Sequence, residues 1–286
     1  MDKIKQKIMK PLFTILLALI TTITFSQKSF QGKATYMSKT TVDMSRFGDQ
    51  MSEQRKKQIM ARMKSFLEKT YTLTFNKTTS SFKENVSLDA PGATTGFRWG
   101  RSNGQGSIYK STTSKRMIED VEQFSKRFLI IEDMEQPKWE MGTETKKIGQ
   151  YTCYKATLIK EDKSINYGSI FGRRGRNKKK DSTATKEAKP KKRILTVTAW
   201  YTPQIPVSSG PDKYYGLPGL ILELNTGRTT MLCTEVSINT KDVIKIEEPK
   251  KGKEVTRDEY NKIVKIKTEE LREQFKNRRR GGRGRF

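Results

Sequence analysis

Short segments in which apolar and polar residues alternate with a period of two recur along most of this chain, and that spacing limits its fold more than any other feature. In Tyr71-Thr72-Leu73-Thr74-Phe75 the rings and Leu73 fall on one face and the threonines on the other, the pattern of a half-buried strand. Residues 81–88 read as its hairpin partner across Asn76-Lys77. Further strands are expected at 32–37, 107–111, 116–121, 128–131, 138–141, 146–148 and 151–159, with Gly149-Gln150 as a tight turn before the last. Residues 194–201, 220–224, 229–238 and 243–246 complete the set, and Asn225-Thr226-Gly227-Arg228 turns between two of them with Gly where φ is positive.

Two segments switch to helical spacing. Met51, Ile59, Met60, Met63, Phe66 and Leu67 recur within 45–69 as the apolar stripe of an inserted amphipathic helix, whose Met-rich face reads as core packing or as a soft binding surface. Near the C-terminus Thr256 and Glu259 have capping-box spacing, and Tyr260, Ile263, Val264, Leu271 and Phe275 stripe the helix that follows. Residues 89–106, rich in Gly, Ser, Asn and Pro, read as a mobile loop. About a dozen short strands, two helices and no βαβ rhythm predict a mainly β protein: a curved antiparallel sheet closed as a half-barrel, barrel or sandwich, with one inserted amphipathic helix and a C-terminal helix. A helix across the concave face, as in periplasmic lipoprotein carriers, is the fold-level analogy.

The ends sort into separate segments. Lys3, Lys5, Lys7 and Lys10 precede an apolar stretch from Leu12 to Phe25, too short for the ~20 residues of a spanning helix, and small residues follow at Thr24 and Ser26. Residues 1–26 therefore read as a secretory signal peptide rather than an uncleaved anchor, with no cysteine after the cut to carry a lipid. Residues 28–249 form a single β-rich domain, interrupted at 160–193 by a basic, disordered hairpin insertion, and 250–286 hold the basic C-terminal helix and an Arg/Gly tail.

The chain carries 58 Lys+Arg against 31 Asp+Glu, a formal charge of +27 that would suggest nucleic acid in a cytosolic protein. Most of that excess lies outside the folded body. The insertion holds 13 basic and 4 acidic residues and the C-terminal segment 14 and 6; with the signal removed as well, the body keeps about +7. Arg173, Arg174, Arg176, Lys178, Lys179 and Lys180 in the insertion, with Arg278, Arg279 and Arg280 in the tail, are the candidate contacts to an anionic surface. Export turns the expectation from nucleic acid toward an anionic membrane surface or an acidic outer-membrane protein, and a solvated charge run without a partner is the plain alternative.

Catalytic chemistry has little to stand on. The absence of histidine removes the usual general base, serine triads and most zinc sites. Glu132 with Asp133 and Glu135, or Glu161 with Asp162, are carboxylate pairs that read as solvated acids, so no enzyme, metal site or cofactor is expected. Cys153 and Cys233 lie in separate expected strands; in an oxidising compartment a disulfide between them is expected, with two free buried thiols as the alternative.

The string Gly210-Pro-Asp-Lys-Tyr-Tyr-Gly-Leu-Pro-Gly-Leu-Ile-Leu-Glu-Leu224, together with blocks at 71–76, 148–157 and 199–206, resembles the GLPGLI proteins of Bacteroidetes, in the order of that family's blocks. The resemblance implies an exported, mostly β protein of the periplasm, outer-membrane periphery or exterior, considered alongside outer-membrane transport components and without an agreed reaction. Within the string, Pro fixes φ before a Gly of positive φ at Gly219, and Pro203, Pro206 and Pro211 stiffen the approach. Tyr214, Tyr215, Leu217, Pro218 and Trp200 are the candidate ligand rim, or else they close one end of the core. The leading functional expectation is a non-enzymatic carrier of an apolar or lipid-like ligand. The alternative is an accessory protein of an outer-membrane assembly of the TonB-dependent type, meeting an acidic partner through its basic segments. Oligomeric state is not encoded in any of these features.

Overall fold

The structure is a computed structural model that describes residues 30–42, 52–85, 105–161, 194–240 and 243–281. The signal segment, the loop at 89–104, the basic stretch 162–193 and the last five residues lie outside them, as do the expectations placed there. Twelve strands form one sheet: β1 (Gln31–Thr40), β2 (Glu68–Asn76), β3 (Thr79–Glu84), β4 (Gln105–Ser111), β5 (Arg116–Gln123), β6 (Lys126–Asp133), β7 (Glu140–Ile148), β8 (Tyr151–Glu161), β9 (Ile194–Thr202), β10 (Leu220–Thr226), β11 (Thr229–Ile238) and β12 (Lys253–Val255). Their order is β12-β6-β5-β4-β3-β2-β1-β11-β10-β9-β8-β7, so among the described residues the sheet is open, with β12 and β7 at its edges. All neighbours are antiparallel except β12 and β6, whose parallel pairing makes the sheet mixed.

Most of the expected strands form, and three details differ. The segments expected at 138–141 and 146–148 are one strand, β7, with a register slip between Met141 and Thr145. Residues 243–246 form no strand; the chain pairs later, at β12, after Gly252 turns it with φ of 145°. The first helix, α1 (Glu53–Leu67), ends where the period changes, and Glu68 already belongs to β2. Ser52 caps α1 by accepting the Arg55 amide at 3.4 Å, yet Ile59, Met63 and Leu67 of its apolar stripe are only half covered.

The capping box at α2 (Arg257–Gly281) is made as expected: Glu259 accepts the Thr256 amide at 2.9 Å and Thr256 accepts the Glu259 amide at 3.3 Å. Tyr260 and Val264, one turn apart, pack with Val121, Phe128, Ile130 and Val255, and the Tyr260 ring meets Phe128 edge-on at 5.6 Å. The helix runs through Arg278, Arg279 and Arg280, which sequence had placed in the tail. No described helix is long and apolar enough to cross a membrane.

Sheet curvature follows from one contact. Five steps separate β4 from β10, about 24 Å in a flat sheet. Yet Lys110 of β4 bonds the carbonyl of Gly210, and Gly210 is pressed so closely on β10 that a Cβ there would lie 2.6 Å from Ile221. A lysine cannot span 24 Å. The sheet therefore curls strongly, bringing β3–β6 toward β9 and β10 around the connection 203–219.

Candidate functional site

Residues 203–219 join β9 to β10 and contain the most distinctive string in the sequence. Two paired strands need only a short turn; these seventeen residues instead fill the space that the curl encloses. The loop first runs back along β10, where the Leu220 amide donates to Ile205 at 3.0 Å and the Ile221 amide to Ser209 at 3.1 Å. Ile205 and Val207 enter the main core with Tyr36, Leu73, Phe75, Phe82 and Ile108. Tyr214 and Leu217 enter a second cluster with Ala156, Leu158, Val197, Ala199 and Ile221. One irregular segment thus ties two cores together.

Its glycines carry separate tasks. Gly216 has φ of 93°, a conformation that a side chain would strain. Gly219, expected to hold the positive φ, does not; a Cβ there would stand 2.2 Å from the Thr202 carbonyl oxygen, so close backbone approach is what requires glycine. Asp212 takes a left-handed φ of 53°, which a short polar side chain tolerates.

Lys110 holds the loop from beneath. Its side chain is 2% exposed, and Nζ donates to the carbonyls of Gly210 at 2.7 Å, Asp212 at 2.9 Å and Tyr214 at 3.1 Å. Three acceptors match the three protons of an ammonium, whose bonds satisfy loop carbonyls that lie outside the strands. Burial pushes the amine down to about 7, with the Asp212 carboxylate opposing the fall. Burial likewise raises Asp212, against the pull of Lys213.

A second anchor is ionic. Lys213 reaches Glu119 of β5 at 2.6 Å, and Arg257, the first residue of α2, bonds both Glu119 and Glu132, the latter at 2.8 Å. Burial alone would raise Glu119, but Lys213 and Arg257 outweigh it and hold the carboxyl below its ordinary value. Arg257 is raised despite burial, because Glu132 and Glu119 accept its protons. Loop, sheet and C-terminal helix therefore meet at one node.

The rest of the loop is pinned by neutral bonds. Trp139 donates to the Tyr215 carbonyl at 2.8 Å, Gln136 to Gly216 at 2.9 Å, and the Tyr215 hydroxyl to Glu135 at 2.6 Å. On β10, where the register slips between Ile221 and Glu223, the Tyr36 hydroxyl donates to the Ile221 carbonyl at 2.7 Å.

The five rim candidates are not one open surface. Tyr214 and Leu217 are core residues at 5% and 1% exposure, Tyr215 is half-buried, and Trp200 is half-buried beneath the Lys146 ammonium at 4.4 Å; Pro218 is exposed. Beside Lys110 a cleft of about 10 Å³, lined by polar residues such as Asn76, Thr79, Ser80 and Ser209 and by Met134 and Val207, has room for a single water. The disulfide expected between Cys153 and Cys233 is not made here: both thiols are free and buried, and β9 and β10 stand between their strands. Burial pushes Cys153 up to about 11 and Cys233 up to about 12, away from thiolate chemistry.

Sequence reasoning passed over Lys110, Glu119, Lys213 and Arg257 and took Glu132 for a solvated acid. The signal for Lys110 was present, since in Ile108-Tyr109-Lys110 the lysine shares a strand face with a core isoleucine. A lysine of lowered pKa can serve as a nucleophile. Here the amine is enclosed and fully bonded, so its chemistry is positional. Among the described residues no group of three or more Cys, Asp or Glu is placed to hold a metal ion.

A family model described as "Protein of unknown function (Porph_ging)" matches residues 139–223, from Trp139 through the loop into β10. No curated protein matches the chain. Among solved structures, "Structure of PNGF-II in C2 space group" is 12% identical at a TM-score of 0.46, covering 84% of this chain and 33% of its own. "Structure of PNGF-II in P21 space group" is 12% identical at 0.45, covering 82% and 33%. The chain thus spans a third of the length of these structures.

Proposed function

We propose that this is a non-enzymatic interaction protein of the cell envelope, exported and then engaged by contact with an acidic partner surface. The observation that carries the reading is the filling of the sheet's curl by the chain's own loop: Lys110 binds three loop carbonyls, and Tyr214 and Leu217 are built into the core. We look for affinity instead in the chain's charge, most of whose excess lies in the basic segments 160–193 and 250–286. An acidic face of an outer-membrane assembly, of the TonB-dependent type, fits that charge.

Carriage of an apolar ligand is the competing reading, and it needs the loop to leave the curl. Native mass spectra of protein taken from the envelope fraction separate the two. A bare mass, together with cross-linking to an acidic outer-membrane protein that is lost on deleting residues 172–192, supports the interaction reading. A bound mass extractable into organic solvent, or undiminished cross-linking by the deletion variant, overturns it.

A further inference from the structure

Of the two described helices, only α2 is built into the core. Tyr260 and Val264 of α2 are buried, whereas no described side chain of α1 is, and no α1 residue belongs to any of the hydrophobic clusters that hold the sheet together. A helix of 15 residues is marginal in water when nothing covers its apolar side. α1 is joined to the sheet at its carboxyl end, where Glu68 of β2 meets Lys64 at 3.9 Å and Lys39 of β1 at 3.8 Å.

The residues of α1 are sorted around its axis. At about 100° per residue, Ile59, Met60, Met63 and Leu67 fall within an arc of about 100°. Met60 is 38% exposed and the other three are half covered. Arg55 borders this stripe on one side and Lys57 and Lys64 on the other, all three exposed, while Gln54, Gln58 and Ala61 occupy the opposite face. Lys56 continues the stripe at its amino end, where its ammonium bonds Glu53 at 2.7 Å. Among the described residues Arg55 and Lys57 hold no ion pair, and over the whole helix Arg55, Lys56, Lys57, Arg62 and Lys64 stand in sequence against Glu53 alone.

We propose that α1 lies on an anionic phospholipid surface, with Met60 and Met63 between headgroups and acyl chains and Arg55, Lys57 and Lys64 among the phosphates. An apolar stripe with cations along both borders is the pattern of a helix that lies in a membrane interface. Unbranched methionine conforms to a fluid layer, and long basic stems reach back to the phosphates from either side. A groove on an acidic protein would have to set carboxylates along both walls to match, whereas a lipid surface carries its negative charge on every side of the helix. The opposite face, with its two glutamines, is left to water. This contact is separate from the acidic-partner reading above, which draws on residues 160–193 and 250–286.

The test uses the chain from residue 27 onward, which keeps every described element and omits the apolar amino-terminal stretch. Flotation with phosphatidylcholine vesicles containing about 30% phosphatidylglycerol is compared for the wild type, Met60→Ser/Met63→Ser, Met60→Leu/Met63→Leu and Arg55→Gln/Lys57→Gln. The wild type and the leucine pair are expected to float with the anionic vesicles and little with pure phosphatidylcholine, and the serine and glutamine pairs each to bind about tenfold more weakly. Undiminished flotation of the serine or the glutamine pair overturns the docking helix, as does a loss in the leucine pair equal to that in the serine pair. A wild type that does not float overturns it as well; its capture on immobilised polyglutamate would then leave the acidic-partner reading standing alone. Because no described side chain of α1 is buried, an unchanged thermal melt is expected for every variant and shows that the body is folded.

Discussion

The loop 203–219 and the β8–β9 finger reverse the usual relation between regularity and order. The loop is almost without repeating structure, yet its side chains reach two cores and its carbonyls have named donors. The finger, residues 158–161 and 194–196, is regular antiparallel ribbon beyond the pairing of β7 and β10, yet Ile159 and Ile194 on its outer face are exposed. What distinguishes them is how each satisfies its groups. The loop draws donors from β4, from Gln136 and Trp139 and from its own turns, whereas the end of the β8–β9 hairpin relies on its ladder and on the inner-face contacts of Leu158, Leu195 and Lys160.

If the loop is a structural anchor, removing its central donor has the largest effect. Lys110→Met removes the donor shared by three loop carbonyls and is expected to cost about 3–5 kcal/mol, read as a fall in denaturation midpoint. Insensitivity would erase the contrast. A pH series sharpens the same point: the amine has a folded value of about 7 against an ordinary 10.5, so the unfolded chain binds more protons between them. Stability is therefore expected to rise with pH through that window, by up to about 2–3 kcal/mol from pH 7 to 9, and to lose this slope in Lys110→Met. The range stops below the thiols, whose raised values act in the opposite direction above their ordinary 9.0.

The ionic node ranks next. Glu119→Gln removes the carboxylate shared by Lys213 and Arg257 and is expected to cost about 1–3 kcal/mol by denaturant titration at pH 7. Because the folded carboxyl is held below its ordinary 4.5, the contribution is full above that value and disappears as pH falls through the folded one. The difference between wild type and variant should therefore shrink in acid. Smallest is the finger: Ile159→Ser/Ile194→Ser is expected to change stability by less than about 0.5 kcal/mol, since neither side chain is buried. A large loss would mean that the outer face is covered after all.

The strands were legible because each needs only its own alternation, and the turns at Gly149 and Gly227 because positive φ restricts residue choice locally. The strands that flank the basic stretch were legible for the same reason, since 151–159 and 194–201 are each readable alone, and β8 pairs with β9. Nothing local announces that Arg257 will meet Glu119, 138 residues earlier. Gly219 was misread because a turn rule was applied where close approach to Thr202 decides. The strand expected at 243–246 had suitable residues, but pairing depends on an available edge, and β6 takes 253–255 instead.

β1 lies between β2 and β11, and its Thr40 meets Thr229 across 189 residues. A chain emerging amino end first can form the β1–β2 pair early, but the other side of β1 stays unpaired until the last quarter of the chain has arrived. Lys110 likewise waits for carbonyls about a hundred residues downstream. Such long-range closure slows folding and exposes a strand edge to other chains. The nascent protein therefore carries one unpaired edge of β1 through most of its synthesis, and that edge closes only when β11 slots in beside it.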